Sequence, residues 1–164
     1  MIRIRIIYGE GGKAIWSAGF ILFANRLRDL GHDVHDDIEW DQPDAIIADI
    51  HKHRDHVENV LFGFSMGALC ATWAASAGQP IALMVGYDPS GGTRFPPRRA
   101  TPPNPIGRNV RRCLCYVHKF DPMFISAPFT GHGVEIVQTW SLHGMVQGNE
   151  WLHQITLKAL AEID

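Results

Sequence analysis

Gly63-Phe64-Ser65-Met66-Gly67 forms a G-x-S-x-G pentapeptide. Before it stands Val60-Leu61-Phe62, an apolar run that reads as a strand; after it comes Ala68 to Ala77, a run of small residues that reads as a helix. A serine on a sharp strand-to-helix turn takes a strained backbone, and flanking residues larger than glycine clash with the neighbouring strand and helix. The turn lifts the hydroxyl above the sheet edge and leaves the Met66 amide free to bind an oxyanion. The chemistry this pattern suggests is attack by Ser65 on a carbonyl carbon.

A serine hydroxyl is a poor nucleophile near neutral pH, so it needs a base, and the base needs an orienting carboxylate. Nine histidines compete for the first role. His143, in Trp140-Ser141-Leu142-His143-Gly144, follows the last strand-like segment, where a loop can swing it over Ser65. His132 precedes that segment, His153 falls inside a helical stretch, His32 and His35 flank an early strand, and His118 ends another. His143 is the expected base. For the acid, Asp121 follows the strand before the histidine and Asp88 follows Ile81 to Tyr87. Both lie at the same edge of a parallel sheet, and an Asp-Pro pair is also a common turn. Asp121 is preferred and Asp88 is the rival; Gly11, Phe64 and Asp88 are expected to line the substrate site.

The elements that must position these groups alternate along the chain. Strands are expected at Ile2 to Tyr8, Asp33 to Asp36, Asn59 to Phe64, Ile81 to Tyr87, Val110 to Val117 and Val134 to Trp140. Helices are expected at Ser17 to Leu30, Asp44 to His53, after the elbow to Gly78, and at Asn149 to Ile163. Phe20, Phe23, Ala24, Leu27 and Leu30 share one face of the first helix; Trp151, Leu152, Ile155, Leu157 and Leu160 are the apolar positions of the last. Ile81 to Tyr87 is almost wholly apolar, as a strand buried on both faces must be. Six strands alternating with helices argue for an α/β fold of three layers, with an open, mostly parallel six-stranded sheet. Such sheets place their sites where strands feed helices.

Asp88 to Asn109 breaks the alternation, with six prolines that forbid a regular helix and with Arg94, Arg98, Arg99 and Arg108 between them. It reads either as a flap over the site or as a solvated surface loop.

The 164 residues suit a single domain, and a 46% hydrophobic and 20% charged composition is that of a globular chain. A formal charge of -2 gives no reason to expect nucleic acid or a membrane surface as a partner. Three cysteines, Cys70, Cys113 and Cys115, cannot all pair internally and suit reduced core thiols of a cytoplasmic protein. Met1 to Ile7 alternates like a strand and is too short for a signal core.

His51-Lys52-His53-Arg54-Asp55-His56 matches H-x-H-x-D-H, a spacing with which metallo-β-lactamase-like hydrolases hold zinc. A complete serine elbow within ten residues is unexplained by that reading, and only His132 offers a further ligand downstream. The histidines are expected to end a helix and face solvent.

The elbow, an acid after a later strand and a terminal histidine, in the order Ser, Asp, His, make this chain resemble a small member of the α/β-hydrolase superfamily over nearly its whole length. The resemblance implies that Tyr8-Gly9-Glu10-Gly11-Gly12 is the loop after the first central strand. Relatives usually read His-Gly-x there; this chain has Tyr8 in place of the histidine. The second oxyanion amide then maps to Glu10, with Gly11 as its neighbouring alternative. Similarity to the compact esterases of that superfamily implies an ester or thioester hydrolase without a cofactor or a helical lid, acting on a small-molecule or polymer-borne acyl ester. Metal-dependent hydrolysis at His51, His53, Asp55 and His56, and a catalytically silent binding module, are the alternatives.

Overall fold

The structure is a computed structural model that describes residues 2–9, 18–55, 57–90, 104–120 and 126–163. Six strands form one sheet: β1 (Ile2–Ile7), β2 (Asp33–Ile38), β3 (Glu58–Phe64), β4 (Ile81–Tyr87), β5 (Val110–His118) and β6 (Val134–Thr139). Their order is β2-β1-β3-β4-β5-β6, and every pairing is parallel. The expected sheet is therefore present, parallel throughout rather than mostly so.

Five helices are described: α1 (Ala18–Asp29), α2 (Pro43–His53), α3 (Met66–Ser76), α4 (His143–Val146) and α5 (Glu150–Ala161). Pro43 opens α2, where its missing N–H would lack a partner in any case. Asn149 caps α5 by accepting the Leu152 N–H at 3.3 Å. None of the helices is long and apolar enough to cross a membrane among the described residues.

Strand alternation divides the core in two. Ile4, Ile6, Phe62, Val85 and Tyr116 face α1 and α5 through Phe20, Phe23, Leu152 and Leu160. Ile7, Leu61, Met84, Cys113 and Cys115 face α2 and α3 through Ile46, Ile50, Ala71 and Ala74. All three cysteines are free and buried; loss of hydration pushes the Cys70 and Cys115 thiols up to about 12. The helices after β1 and β3 thus lie on opposite faces, and the strand order reverses between those two strands. Open α/β sheets place their sites at such a reversal, here at the ends of β1 and β3.

The apolar face expected of α1 stops at Leu27: Leu30 is 58% exposed because the helix ends at Asp29 and the chain turns through Gly31. Trp151 is likewise 54% exposed, and the buried face of α5 runs through Leu152, His153, Thr156, Ala159 and Leu160 instead. At the far edge of the sheet a charged cluster is folded inside. Arg5, fully buried, donates to Asp49 at 2.7 Å and to Asn59 at 3.0 Å, and Arg3 shares the same carboxylate. The buried Arg5 charge is tolerated because the half-buried Asp49 carboxylate is built in beside it.

Candidate active site

Ser65 leaves β3 at φ 55° and ψ -121°, a conformation that non-glycine residues hold only under strain. The surroundings enforce it. Tyr87 O accepts the Ser65 N–H at 3.0 Å, while Ser65 O accepts the N–H groups of Ala68 at 3.1 Å and Ser90 at 3.3 Å. Any side chain at Gly67 would stand 2.3 Å from Ile7 O, and one at Gly63 would stand 2.5 Å from Ala68 Cα. The start of α3 is packed directly on the backbone of β1 and β3, so glycine is required at both positions. Met66 is the first residue of α3, so its N–H has no partner within the helix and points out from the positive end of the helix dipole. Gly9 flanks Ser65 from the other side: a Cβ there would lie 3.1 Å from Ser65 Cβ.

His143 begins α4, a single turn after β6 that the hydrophobic pattern did not foretell. Its Nε2 lies 3.1 Å from Ser65 Oγ and its Nδ1 lies 2.6 Å from Asp88 Oδ2. The Phe64 ring packs on the imidazole with centroids 5.2 Å apart. Ser90 places a second hydroxyl 3.2 Å from Ser65 Oγ. In that contact the Ser65 hydroxyl donates to Ser90 Oγ.

Asp88 follows β4 at φ 47°, a left-handed conformation aspartate tolerates better than most residues. It is fully buried, and its N–H donates to Tyr116 O at 2.8 Å. Among the described residues its carboxylate meets three donors. Besides His143, His118 Nδ1 lies 2.5 Å from Oδ2, and Ser126 Oγ donates to Oδ1 at 3.0 Å.

Among the expected site residues, Ser65, Met66, Phe64, Asp88 and His143 converge on one edge of the sheet. Glu10, Gly11, Asp121 and His56 lie outside the described residues, as do residues 91–103 of the Pro/Arg-rich stretch. The carboxylate that meets His143 is Asp88, the rival of Asp121. Asp88, expected to line the substrate site, has no exposed surface. Phe64, only 5% exposed, forms the wall behind His143.

His51 and His53 sit in the last turn of α2 and Asp55 follows it, before β3 begins. Because β3 runs from Glu58 to Phe64, they stand at the edge opposite Ser65. His53 instead binds Asp49 O of its own helix at 2.9 Å. A hollow of about 530 Å³ between Arg54, Asn59, Ala82 and Arg111 lies at that same far edge, by the starts of β3 and β4. Among the described residues, the group whose metal-type ligand atoms all lie within 4.8 Å of one another is Asp88, His118 and His143. Sequence reasoning missed the places of His118, Ser90 and Ser126. Only His118, as the last residue of a strand beside β4, carried a positional signal.

No protein-family model matches this chain, and no curated protein sequence matches it significantly. Solved structures do. The chain is similar to the RedJ thioesterase of the prodiginine biosynthetic pathway in Streptomyces coelicolor, at 14% identity over 99% of this chain and 85% of that one, with a TM-score of 0.62. It is similar to the NocB thioesterase domain in covalent complex with a fluorophosphonate nocardicin G analogue, at 13% identity over 99% and 94% of the two chains, with a TM-score of 0.61. A hydrolase of the α/β superfamily from Xanthomonas campestris pv. campestris matches at 13% identity over 99% of this chain and 98% of that one, with a TM-score of 0.59. At such identities the likeness speaks to architecture, and the architecture is plain: this chain has the α/β-hydrolase fold.

Proposed function

We propose that this protein is a serine-dependent hydrolase of carboxylic esters or thioesters that works through an acyl-enzyme. One observation carries the reading: a single imidazole, that of His143, lies between Ser65 Oγ at 3.1 Å and Asp88 Oδ2 at 2.6 Å. The thioesterases among the structural neighbours, one of them holding a fluorophosphonate covalently, support it.

In this mechanism His143 Nε2 takes the Ser65 proton as Oγ attacks the acyl carbonyl. Asp88 keeps the other ring proton on Nδ1, so that Nε2 is free to accept, and it stabilises the imidazolium that forms. The Met66 amide holds the tetrahedral oxyanion, with a second amide from the loop after Gly9 for which Glu10 is the proposed donor. His143 then protonates the leaving group, and water resolves the acyl-serine by the same steps in reverse. No cofactor is needed for any step. Leu142 and Met145, which bracket the base, and Trp140 just before it are all exposed. An apolar rim of this kind suits the acyl part of a small-molecule or polymer-borne substrate.

The test is labelling by a fluorophosphonate probe, with p-nitrophenyl acetate turnover measured in parallel. Wild type should label at Ser65, and Ser65→Ala should lose both label and turnover. Turnover that persists without labelling and dies with a chelator would establish metal-dependent hydrolysis instead. Absence of both across short esters and thioesters would make the protein a binding module.

A further inference from the structure

The Asp88 carboxylate serves two imidazoles, one more than the proposed reaction uses. His118 closes β5, is 8% exposed, and places Nδ1 2.5 Å from the same Oδ2 atom that His143 Nδ1 meets at 2.6 Å. The ring centroids are 6.4 Å apart at 69°, so the two imidazoles are joined through the acid rather than by stacking. Building on the hydrolase reading, we propose that His118 is a positioning residue, whose Nδ1–H locks the Asp88 carboxylate in the orientation His143 needs.

Three features of the site argue for this role. Asp88 is fully buried, so water does not compete for its lone pairs, and whatever donors the protein provides decide how the carboxylate is turned. Its backbone is fixed, by the positive φ and the bond to Tyr116 O, but a backbone anchor leaves the side-chain torsions open. Ser126 holds Oδ1 at 3.0 Å and His118 holds Oδ2, from the far side of the acid relative to the nucleophile. Two N–H groups on one oxygen also require each ring to carry its proton on Nδ1. For His143 that is the tautomer whose Nε2 accepts from Ser65. A carboxylate free to rotate would present Oδ2 to His143 only part of the time. A buried histidine that merely filled space would need no charged oxygen at 2.5 Å.

Asparagine and glutamine separate these roles, because an asparagine amide reaches the place of Nδ1 and a glutamine amide that of Nε2. Fluorophosphonate labelling rates of Ser65, and kcat and KM for p-nitrophenyl acetate, are measured for His118→Asn, His118→Gln and His118→Leu, each checked for a cooperative melt. Losing a hydrogen bond to a charged group should slow labelling and kcat of the Leu variant roughly 10- to 100-fold with KM little changed. The Asn variant should recover most of the rate and the Gln variant should not; that pair carries the test if the Leu variant does not fold. Far-downfield proton NMR should show two imidazole N–H signals in wild type, with the His118 signal missing and the His143 signal displaced in the variants. Equal rates for all folded variants, or Asn no faster than Gln, would overturn the proposal. Failure of the hydrolase reading looks different: wild type itself would neither label nor turn over. The NMR arm would still show whether the oxygen is shared, and a single downfield N–H signal in wild type would overturn the sharing.

Discussion

Asp88 and His143 stand 55 residues apart in the chain and 2.6 Å apart in space, joined at Oδ2 and Nδ1. The contact exists because β4 and β6 run parallel on either side of β5 and deliver their following turns to one edge. Replacing Asp88 with asparagine turns an acceptor into an amide that can donate, which disturbs the tautomer of His143. We expect Asp88→Asn to lower kcat by about 10⁴-fold with a small change in KM, and Asp121→Asn to stay near wild type. Steady-state kinetics on one short ester decides between the two, and the reverse pattern would return the acid to Asp121.

Ser65 holds its hydroxyl in place at the expense of the backbone. Strain at a positive φ is worth about 1–3 kcal/mol, and glycine adopts that conformation freely. Ser65→Gly should therefore abolish turnover while raising the unfolding free energy by roughly 1 kcal/mol, after the greater chain entropy of glycine is subtracted. Gly67→Ala should do the opposite to stability, since its methyl would meet Ile7 O at 2.3 Å. Urea unfolding of both variants tests the pair; a Ser65→Gly protein less stable than wild type would count against strain at the elbow.

His153 links the core to acid sensitivity. Its ring stacks on Phe23 at 4.1 Å and donates from Nε2 to Gln147 O at 2.8 Å. Burial lowers its pKa below the ordinary 6.5, because the charged form loses its hydration, and the bond to Gln147 only partly opposes this. Below about pH 6.5 the unfolded chain binds a proton that the folded chain resists, so stability is full above that pH and declines as pH falls through it. The expected slope from this group is about 1 kcal/mol per pH unit. His153→Phe should be less stable at pH 7.5 yet lose less between pH 7 and 5.5 than wild type does. Parallel losses in denaturant melts would remove His153 from the account.

Trp140, Leu142 and Met145, on the segment that carries His143, are 77%, 59% and 64% exposed. The acyl rim proposed for them predicts a split by chain length. Leu142→Ser with Met145→Gln should leave p-nitrophenyl acetate turnover close to wild type and raise KM several-fold for the octanoate ester, at about 0.8 kcal/mol for each methylene that loses contact. An equal effect on both esters would place the rim outside the substrate's reach.

Much of this was legible before any coordinates. The strands were readable because a parallel sheet buried on both faces demands nearly unbroken apolar runs, as in Ile81–Tyr87. The elbow was readable because only glycine at positions 63 and 67 lets α3 settle on β1 and β3. The acid was harder. Asp88 and Asp121 each follow a strand and precede a proline, and spacing along the chain does not report which turn aims a carboxylate inward. His118 was missed because a histidine ending a strand looks the same whether it faces water or a buried acid. The single turn of α4 is too short for periodicity to register, yet it carries His143.

Ser65, Asp88, His118 and His143 are supplied in order by the ends of four neighbouring strands, β3 through β6. Synthesis therefore makes the Ser65 alcohol before the His143 imidazole. On the proposed mechanism, a growing chain has its base only once residue 143 has emerged and β6 has docked. Recovery of turnover after denaturation should accordingly report completion of the sheet's last edge, trailing the return of helical signal.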